Sequence, residues 1–210
     1  MAEQNNPWLS RPMAPPPTIA ATTDVSVARP TGPTSPQRGV PVPDQVDQLR
    51  TIEQARPAEL WWLGVHGGSG ESSLAGLVLE WQEAGHGWPR TATPEPDRVV
   101  LVARSNARGL KAAQAAVMQW ASSQVPSVEV LGLVVVADAP GRLPRPIRDL
   151  AQVVSGGVPR TWNVPWVEPW RLGELPALAD APREVRRLVD ELRVILRPGV
   201  AGTNNWKEER

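Results

Sequence analysis

The residues best suited to chemistry form a glycine-rich turn, which reads His66-Gly67-Gly68-Ser69-Gly70-Glu71-Ser72-Ser73. Glycines let a backbone approach an anion closely, and a turn that leads into a helix presents successive N–H groups and a positive helix end. In phosphate-binding turns of this kind, a hydroxyl such as that of Ser72 reaches a bound Mg²⁺. The pattern therefore predicts an anion site at residues 67–73, with Ser72 as the candidate metal ligand.

The serines and the histidine of this turn also have simpler interpretations. Ser69, Ser72 and Ser73 are of a residue type that favours turns and helix N-termini, where a hydroxyl accepts a backbone N–H. His66 has no accompanying carboxylate and nucleophile of the kind that forms a catalytic triad. We therefore interpret these four as turn and cap residues and expect no nucleophilic catalysis from them.

Arginines follow two of the predicted strands, at the edge where open α/β sheets bind ligands. Arg104 and Arg108 come after one strand, and Arg142 and Arg145 come after the next. These side chains either hold phosphate groups or lie in solvent, and one of them could pair with Glu71 and close the turn. We favour the second interpretation and predict a contact between Glu71 and an arginine.

Apolar runs alternate with amphipathic segments from residue 60 onward. Continuous apolar runs are typical of strands covered on both faces, and a 3.6-residue period is typical of helices. The pattern predicts strands at 60–65, 98–103, 128–137 and 160–164, and helices at about 44–55, 72–83, 107–122, 146–154 and 182–196. This alternation predicts an α/β fold, a parallel sheet with helices on both faces.

The two ends of the chain have a different composition. Residues 1–43 are rich in proline, threonine and alanine without sustained periodicity, which predicts a disordered tail. Residues 44–197 are predicted to form the α/β domain, and residues 198–210 a flexible tail.

Composition excludes several classes of function. The chain has no cysteine and only two histidines, so disulfides, thiol catalysis and a structural zinc site are not expected. Its 22 basic and 22 acidic residues cancel, which gives no overall attraction to nucleic acid. It has neither a secretory signal pattern nor an apolar stretch of about 20 residues, so no membrane span is expected and the protein is predicted to be cytoplasmic.

Tryptophans recur every four residues at positions 162, 166 and 170. Pro165 and Pro169 interrupt any helix there, so the spacing is not helical. We predict that Trp162 packs in the core, and that Trp166 or Trp170, where exposed, contributes a partner-binding or base-stacking surface.

The glycine turn resembles the deviant Walker A loop of the ParA/MinD-type P-loop ATPases, which reads Lys-Gly-Gly-x-Gly-Lys-[Ser/Thr]-Thr. Gly67, Gly68, Gly70, Ser72 and Ser73 match this pattern. His66 and Glu71 occupy the two lysine positions. Residues 99–105, 131–138 and 164–166 are similar to later strands of that family, and the likeness covers about residues 60–196. The arginine-rich, lysine-poor usage is typical of high-GC bacteria, and the chain is identified as a degenerate actinobacterial relative of that family.

The resemblance implies a nucleotide site, in which ATP or GTP with Mg²⁺ would lie against residues 67–73. Asp138 and Pro165 would lie near the base, and Arg104 near the phosphates. Asp97 and Asp138 are candidate replacements for the metal-linked carboxylates that the family carries on strands missing here. The family's sandwich dimer depends on the lysine that His66 replaces, so a homodimer is left open.

The presence of Glu71 at the position of the P-loop lysine opposes the hydrolysis of a nucleoside triphosphate. Two like charges about 4 Å apart cost about 4 kcal/mol at an effective dielectric constant of about 20. The expected function is therefore that of a catalytically weak or inactive ParA/MinD-like protein with a regulatory or protein-interaction role. It would bind either a partner protein or a nucleotide without turnover, with ATP or GTP and Mg²⁺ in the second case and no cofactor in the first. The alternative is an active ATPase or GTPase that uses arginines in place of lysine, in DNA partitioning, conjugation or secretion.

Overall fold

The computed structural model describes residue 27 and residues 29–174 and 177–197. Its strands are β1 (Thr51–Glu53), β2 (Leu60–Gly64), β3 (Trp81–Glu83), β4 (Trp88–Arg90), β5 (Asp97–Arg104), β6 (Val128–Val136) and β7 (Thr161–Val164). Its α-helices are α1 (Glu71–Ala75), α2 (Ala107–Ala121), α3 (Arg145–Ser155), α4 (Glu168–Arg171) and α5 (Arg183–Leu196). Short 3-10 helices lie at Gln45–Asp47 and Leu178–Asp180.

Five parallel strands form the main sheet, in the order β3-β2-β5-β6-β7, and β1 pairs with β4 in a separate parallel pair. Alternate side chains of each strand enter two different cores, as Trp61 and Leu63 do on one face and Leu60 and Trp62 on the other. Helices α2 and α3 cover the first face, and α1 and α5 cover the second. The predicted α/β fold, with a parallel sheet between helices, is confirmed.

The order of the strands determines where the glycine turn lies. β2 comes first along the chain in this sheet, yet β3 lies on one side of it and β5 on the other. The chain leads from β2 to β3 on one side and from β5 to β6 on the other, so the connections of these adjacent strands diverge. Ligands of open α/β sheets bind at such switch points. The turn at residues 65–70 leaves β2 at this position.

Two predicted helices are wrong. Residues 44–55 form a 3-10 turn and then β1, and Val46, expected on a buried face, is 91% exposed. Instead of helical hydrogen bonds, Leu49 exchanges backbone hydrogen bonds with the Gln119 side chain, at 2.9 Å in both directions. The helix predicted at 72–83 ends at Ala75, and residues 81–83 form β3.

The segment at 81–83 becomes a strand because its tryptophan packs into the sheet. Trp81 is buried, and its ring lies edge-on to that of Trp62, with 5.8 Å between ring centroids. Its indole N–H donates to Glu59 at 3.2 Å. Gly76 ends α1 shortly before, since glycine is a poor helix former. The remaining predicted strands and helices are present within one or two residues of their expected ends.

The predicted N-terminal tail lies outside the described residues up to position 26, as does residue 28. From Thr31 onward the chain contacts the domain, because the Thr31 N–H donates to the Pro159 carbonyl and the Gln37 N–H donates to the Ala121 carbonyl, each at 2.9 Å. The predicted tail at 198–210 also lies outside the described residues. Within the described ranges, no helix is both long enough and apolar enough to cross a membrane.

Candidate functional site

The glycine turn has the backbone conformation that its residue types predict. Gly68 and Gly70 adopt φ values of +74° and +104°, which favour glycine because a Cβ would be strained there. Gly67 and Gly68 are exposed, and their N–H groups have no hydrogen-bond partner in the part of the chain that the structure describes. The turn therefore keeps backbone donors that an anion could use.

Glu71, the first residue of α1, points beneath this turn and is only 4% exposed. Its Oε1 accepts the backbone N–H groups of Ala84 and Gly85, at 3.0 and 3.1 Å. Its Oε2 lies 3.0 Å from Nδ1 of His86. Three donors from the segment after β3 thus satisfy the carboxylate, and this joins the start of α1 to the end of β3.

His86 lies across the Glu71 carboxylate in a strained conformation. Its φ of +59° is in the left-handed region, which non-glycine residues rarely adopt. Nδ1 lies 3.0 Å from Glu71 Oε2 and 3.0 Å from the Gly64 carbonyl oxygen. Because both neighbours are acceptors, Nδ1 carries the hydrogen, and the other ring nitrogen belongs to a side chain that is 49% exposed.

The absence of a Cβ at Gly64 makes this arrangement possible. A Cβ on Gly64 would lie 2.4 Å from Ser69 Oγ, 2.6 Å from Glu71 Oε2 and 2.8 Å from His86 Nδ1. Ser69 is buried, and its hydroxyl has no hydrogen-bond partner among the described residues. The three polar side chains are therefore packed around a position that only glycine can occupy.

His66 and Arg104 tie the turn to the neighbouring strands. His66 Nε2 accepts the Arg104 backbone N–H at 3.1 Å, while Nδ1 lies 2.9 Å from the Gly67 carbonyl, which makes Nδ1 the protonated nitrogen. The Arg104 guanidinium donates from Nε to the Gly68 carbonyl at 3.0 Å and from Nη1 to the Ala137 carbonyl at 2.8 Å. Arg104 thus spans the sheet edge from the turn to the end of β6.

A small cavity of about 100 Å³ lies beside the turn, lined by Gly68, Arg104, Asp138, Trp166, Val167, Trp170 and Arg171. Burial lowers the pKa of Arg104 below its ordinary value, the nearby Asp138 charge opposes this shift, and the Arg171 charge adds to it. The Asp138 side chain is exposed, and its backbone N–H donates to Ser105 Oγ at 3.0 Å. The cavity therefore brings together two arginines, one carboxylate and two tryptophans.

The structure brings together some of the predicted site residues and separates others. Gly68, Arg104 and Asp138 share the cavity, and the half-buried Pro165 directly precedes its Trp166. Ser72 and Ser73 lie in the first turn of α1, Ser72 exposed and Ser73 half-buried. Among the described residues, no group of three or more histidine, aspartate and glutamate side chains is arranged to hold a metal ion.

Two predictions about charged residues are wrong: that Glu71 contacts an arginine, and that Asp97 replaces a metal-linked carboxylate. Glu71 forms no ion pair with an arginine in the described chain, since backbone amides and His86 already occupy its oxygens. Arg145 pairs with Asp149 at 3.7 Å on its own helix. Asp97 begins β5 and so lies at the amino end of the sheet, opposite the glycine turn, where it cannot replace a metal-linked carboxylate of the turn.

Asp97 has a structural environment of its own. Its Oδ1 accepts the Trp61 indole N–H at 3.2 Å and the Thr91 hydroxyl at 3.0 Å, and its Oδ2 accepts the Thr91 backbone N–H at 3.0 Å. The predicted core role of Trp162 is confirmed, since this residue is buried and its indole donates to Glu191 at 2.8 Å. Trp166 and Trp170 are half-buried and line the cavity.

The residue that sequence reasoning missed is His86. Its flanking glycines, Gly85 and Gly87, indicate a tight turn, but nothing in the local sequence links this turn to Glu71. The link depends on β3, whose residues the sequence pattern assigns to the end of a helix. A strand at 81–83, parallel to β2, would have placed His86 next to the glycine turn.

Comparison with known proteins identifies one family. No curated protein and no solved structure matches this chain. The family described as "Family of unknown function (DUF6668)" matches residues 58–189, which include the main sheet, the glycine turn, Glu71, His86 and the first half of α5. Because the match spans more than half of the 210 residues, the chain belongs to the DUF6668 family.

Proposed function

We propose that this chain is a regulatory or protein-interaction domain, built on a P-loop-like turn, that does not hydrolyse nucleoside triphosphates. The observation that carries the proposal is the set of contacts around Glu71. Its buried carboxylate joins the start of α1 to Ala84, Gly85 and His86. A residue used in this way maintains the fold and cannot also clamp a phosphate.

Electrostatics supports the loss of phosphoryl transfer. Enzymes of this chemistry rely on cations around the transferred phosphate, because catalysis is mostly charge stabilisation and positioning. Here the charge directly beneath the turn is negative, and a phosphate about 4 Å from it would meet a repulsion of about 4 kcal/mol at an effective dielectric constant of about 20. The unpartnered N–H groups of Gly67 and Gly68 still allow an anion to bind weakly without turnover.

A second candidate is an active nucleotide hydrolase that uses arginine in place of lysine. Its support is Arg104, a half-buried guanidinium next to the turn with Arg171 across the same small cavity. Against it, two of the Arg104 nitrogens already donate to the Gly68 and Ala137 carbonyls. A phosphate would have to displace these hydrogen bonds, so we rank this candidate second.

Calorimetric titration with ATP and GTP in the presence of Mg²⁺, together with a phosphate-release assay, separates the two candidates. Glu71→Gln removes the negative charge and keeps an acceptor for Ala84 and Gly85. Arg104→Ala removes the only guanidinium that bridges the turn and β6 in the described chain. Arg142→Ala is the matched control, because Arg142 is exposed and lies outside the cavity.

We expect no phosphate release from the natural protein and at most weak binding, which strengthens in Glu71→Gln because the repulsive charge is gone. Tight binding with phosphate release that Arg104→Ala abolishes, and that Arg142→Ala leaves unchanged, would replace our proposal with the second candidate.

A further inference from the structure

The outward side of α2 borders a groove of about 1000 Å³, which we call the α2 groove. Residues 42–49 form one wall. The other wall is α2, through Arg108, Lys111, Ala112, Ala115 and Met118. Since alanines line much of the helix wall, a segment of another chain could approach its backbone closely. The groove has room for such a segment.

Apolar side chains are concentrated around this groove. A second cavity of about 210 Å³ adjoins it at Gln114 and Met118 and is lined by Val153. Of the five large apolar side chains that are exposed in the described chain, Val42 and Val46 line the groove and Val153 lines the adjoining cavity. Exposed apolar residues gathered in one place, with polar residues around them, are typical of protein-binding surfaces.

The two walls of the groove carry opposite charges. Asp44 and Asp47 lie on the wall formed by residues 42–49, and Arg108 and Lys111 lie on the helix wall. All four are exposed, and none forms an ion pair within the part of the chain that is described. A surface with both signs on separate walls is complementary to itself, because a two-fold rotation brings each wall against the opposite wall of a second copy.

We propose that two copies of this chain pair through the α2 groove. The segment 42–49 of each copy lies between the same segment and the α2 helix of the other. Asp44 and Asp47 of one copy then face Arg108 and Lys111 of the other, and the protruding Val46 packs near the two-fold axis. Val65, His66 and Gly67 also line the groove, so the pairing comes close to the glycine turn. It needs neither a bound nucleotide nor the contacts of Glu71, so it does not depend on the proposed function.

Two charge-reversal variants test this pairing. The first, Arg108→Glu with Lys111→Glu, makes both walls acidic. The second, Asp44→Lys with Asp47→Lys, makes both walls basic. The control, Arg183→Glu with Arg186→Glu, reverses two exposed arginines at the same spacing near the start of α5, which covers the opposite face of the sheet. Sedimentation velocity over a roughly hundredfold range of concentration measures the dimer of each, and circular dichroism verifies folding.

We expect a dimer for the natural chain and the control, and a dissociation constant at least about tenfold higher for each wall variant alone, because like charges then face each other. Mixing the two wall variants should restore a dimer of one copy of each, since every contact again joins opposite charges. A natural chain that stays monomeric at the highest concentration would overturn the proposal. So would wall variants that dimerise as well as the control, or a mixture that stays monomeric.

Discussion

Two buried carboxylates lie at opposite ends of the parallel sheet, and both are surrounded by hydrogen-bond donors. Asp97, 7% exposed, accepts hydrogen bonds from the Trp61 indole and from the backbone and hydroxyl groups of Thr91. Glu71, 4% exposed, accepts two backbone N–H groups and lies against His86. Both carboxylates therefore satisfy the requirement that buried charges be hydrogen-bonded.

The two carboxylates differ in whether their hydrogen-bond donors can become acceptors. The indole N–H and the backbone N–H that face Asp97 are donors only, so the side chain at position 97 must present a hydrogen-bond acceptor to each of them. His86 can carry its hydrogen on either ring nitrogen, and half of its side chain is exposed to solvent. The comparison indicates that the carboxylate at the candidate site, although structural like Asp97, lies in surroundings that can rearrange.

The largest expected effect is that of removing the Glu71 carboxylate. Glu71→Ala removes the three hydrogen bonds that the carboxylate makes to Ala84, Gly85 and His86, although the Ala84 N–H keeps the Trp62 carbonyl as an acceptor at 2.8 Å. Hydrogen bonds to charged groups contribute about 1.5 to 3 kcal/mol each. We expect the free energy of unfolding, measured by urea denaturation, to fall by about 4 kcal/mol. The control is Ser72→Ala at the neighbouring exposed position. If both variants lose equally little, Glu71 is not a structural residue.

Gly64→Ala tests how tightly Ser69, Glu71 and His86 pack around the position of Gly64. Its new Cβ would meet Ser69 Oγ at 2.4 Å and Glu71 Oε2 at 2.6 Å, so these buried groups must move. We expect a loss of about 3 kcal/mol in the free energy of unfolding, at the upper end of overpacking effects. Gly67→Ala is the control, because a Cβ added there would have nothing within 4 Å and the φ of Gly67 is not positive. Equal stability of the two variants would show that the packing around Gly64 is not tight.

Asp97→Asn addresses the other member of the comparison. The new amide NH₂ must face either the Trp61 indole N–H or the Thr91 backbone N–H, and neither of these can become an acceptor. We expect a loss of about 2 kcal/mol in the free energy of unfolding. Glu95→Gln, an exposed neighbour, should change stability by less than about 0.5 kcal/mol. A loss that small in Asp97→Asn would mean that the donors around it are mobile.

The sheet strands and helices of four or more residues could mostly be predicted from sequence, and the strands of three residues could not. β5, α2, β6, α3 and α5 have enough residues for an apolar run or a 3.6-residue period to repeat, and the structure contains all of them. β3 and β4 have three residues each, too few to show a period. Their conformation depends on tertiary packing, such as that of Trp81 against Trp62, which no local pattern reveals.

The candidate site could also be predicted only in part: its turn could be predicted, and the partners of Glu71 could not. The glycine spacing correctly predicts a turn between β2 and a helix, and in the structure Gly68 and Gly70 of this turn have positive φ. Charge alone suggests an arginine as the partner of Glu71. The actual partners are backbone amides and a histidine supplied by the segment after β3. Missing one three-residue strand therefore hides the main contact of the site.

The smallest expected effect is that of Glu71→Gln, and it distinguishes the two carboxylates most sharply. The glutamine keeps an oxygen for Ala84 and Gly85, and its NH₂ can donate to His86 Nδ1 if the imidazole moves its hydrogen to Nε2. The remaining cost is the Gly64 carbonyl, which loses the His86 donor, so we expect a loss of about 1 kcal/mol, half that of Asp97→Asn. Nitrogen-15 NMR of the imidazoles should show the tautomer of His86 changing, while His66, held by Gly67 and Arg104, keeps its own. If His86 keeps its tautomer and the loss equals that of Asp97→Asn, both carboxylates lie in equally fixed surroundings, and the difference that we infer between the two ends of the sheet does not exist.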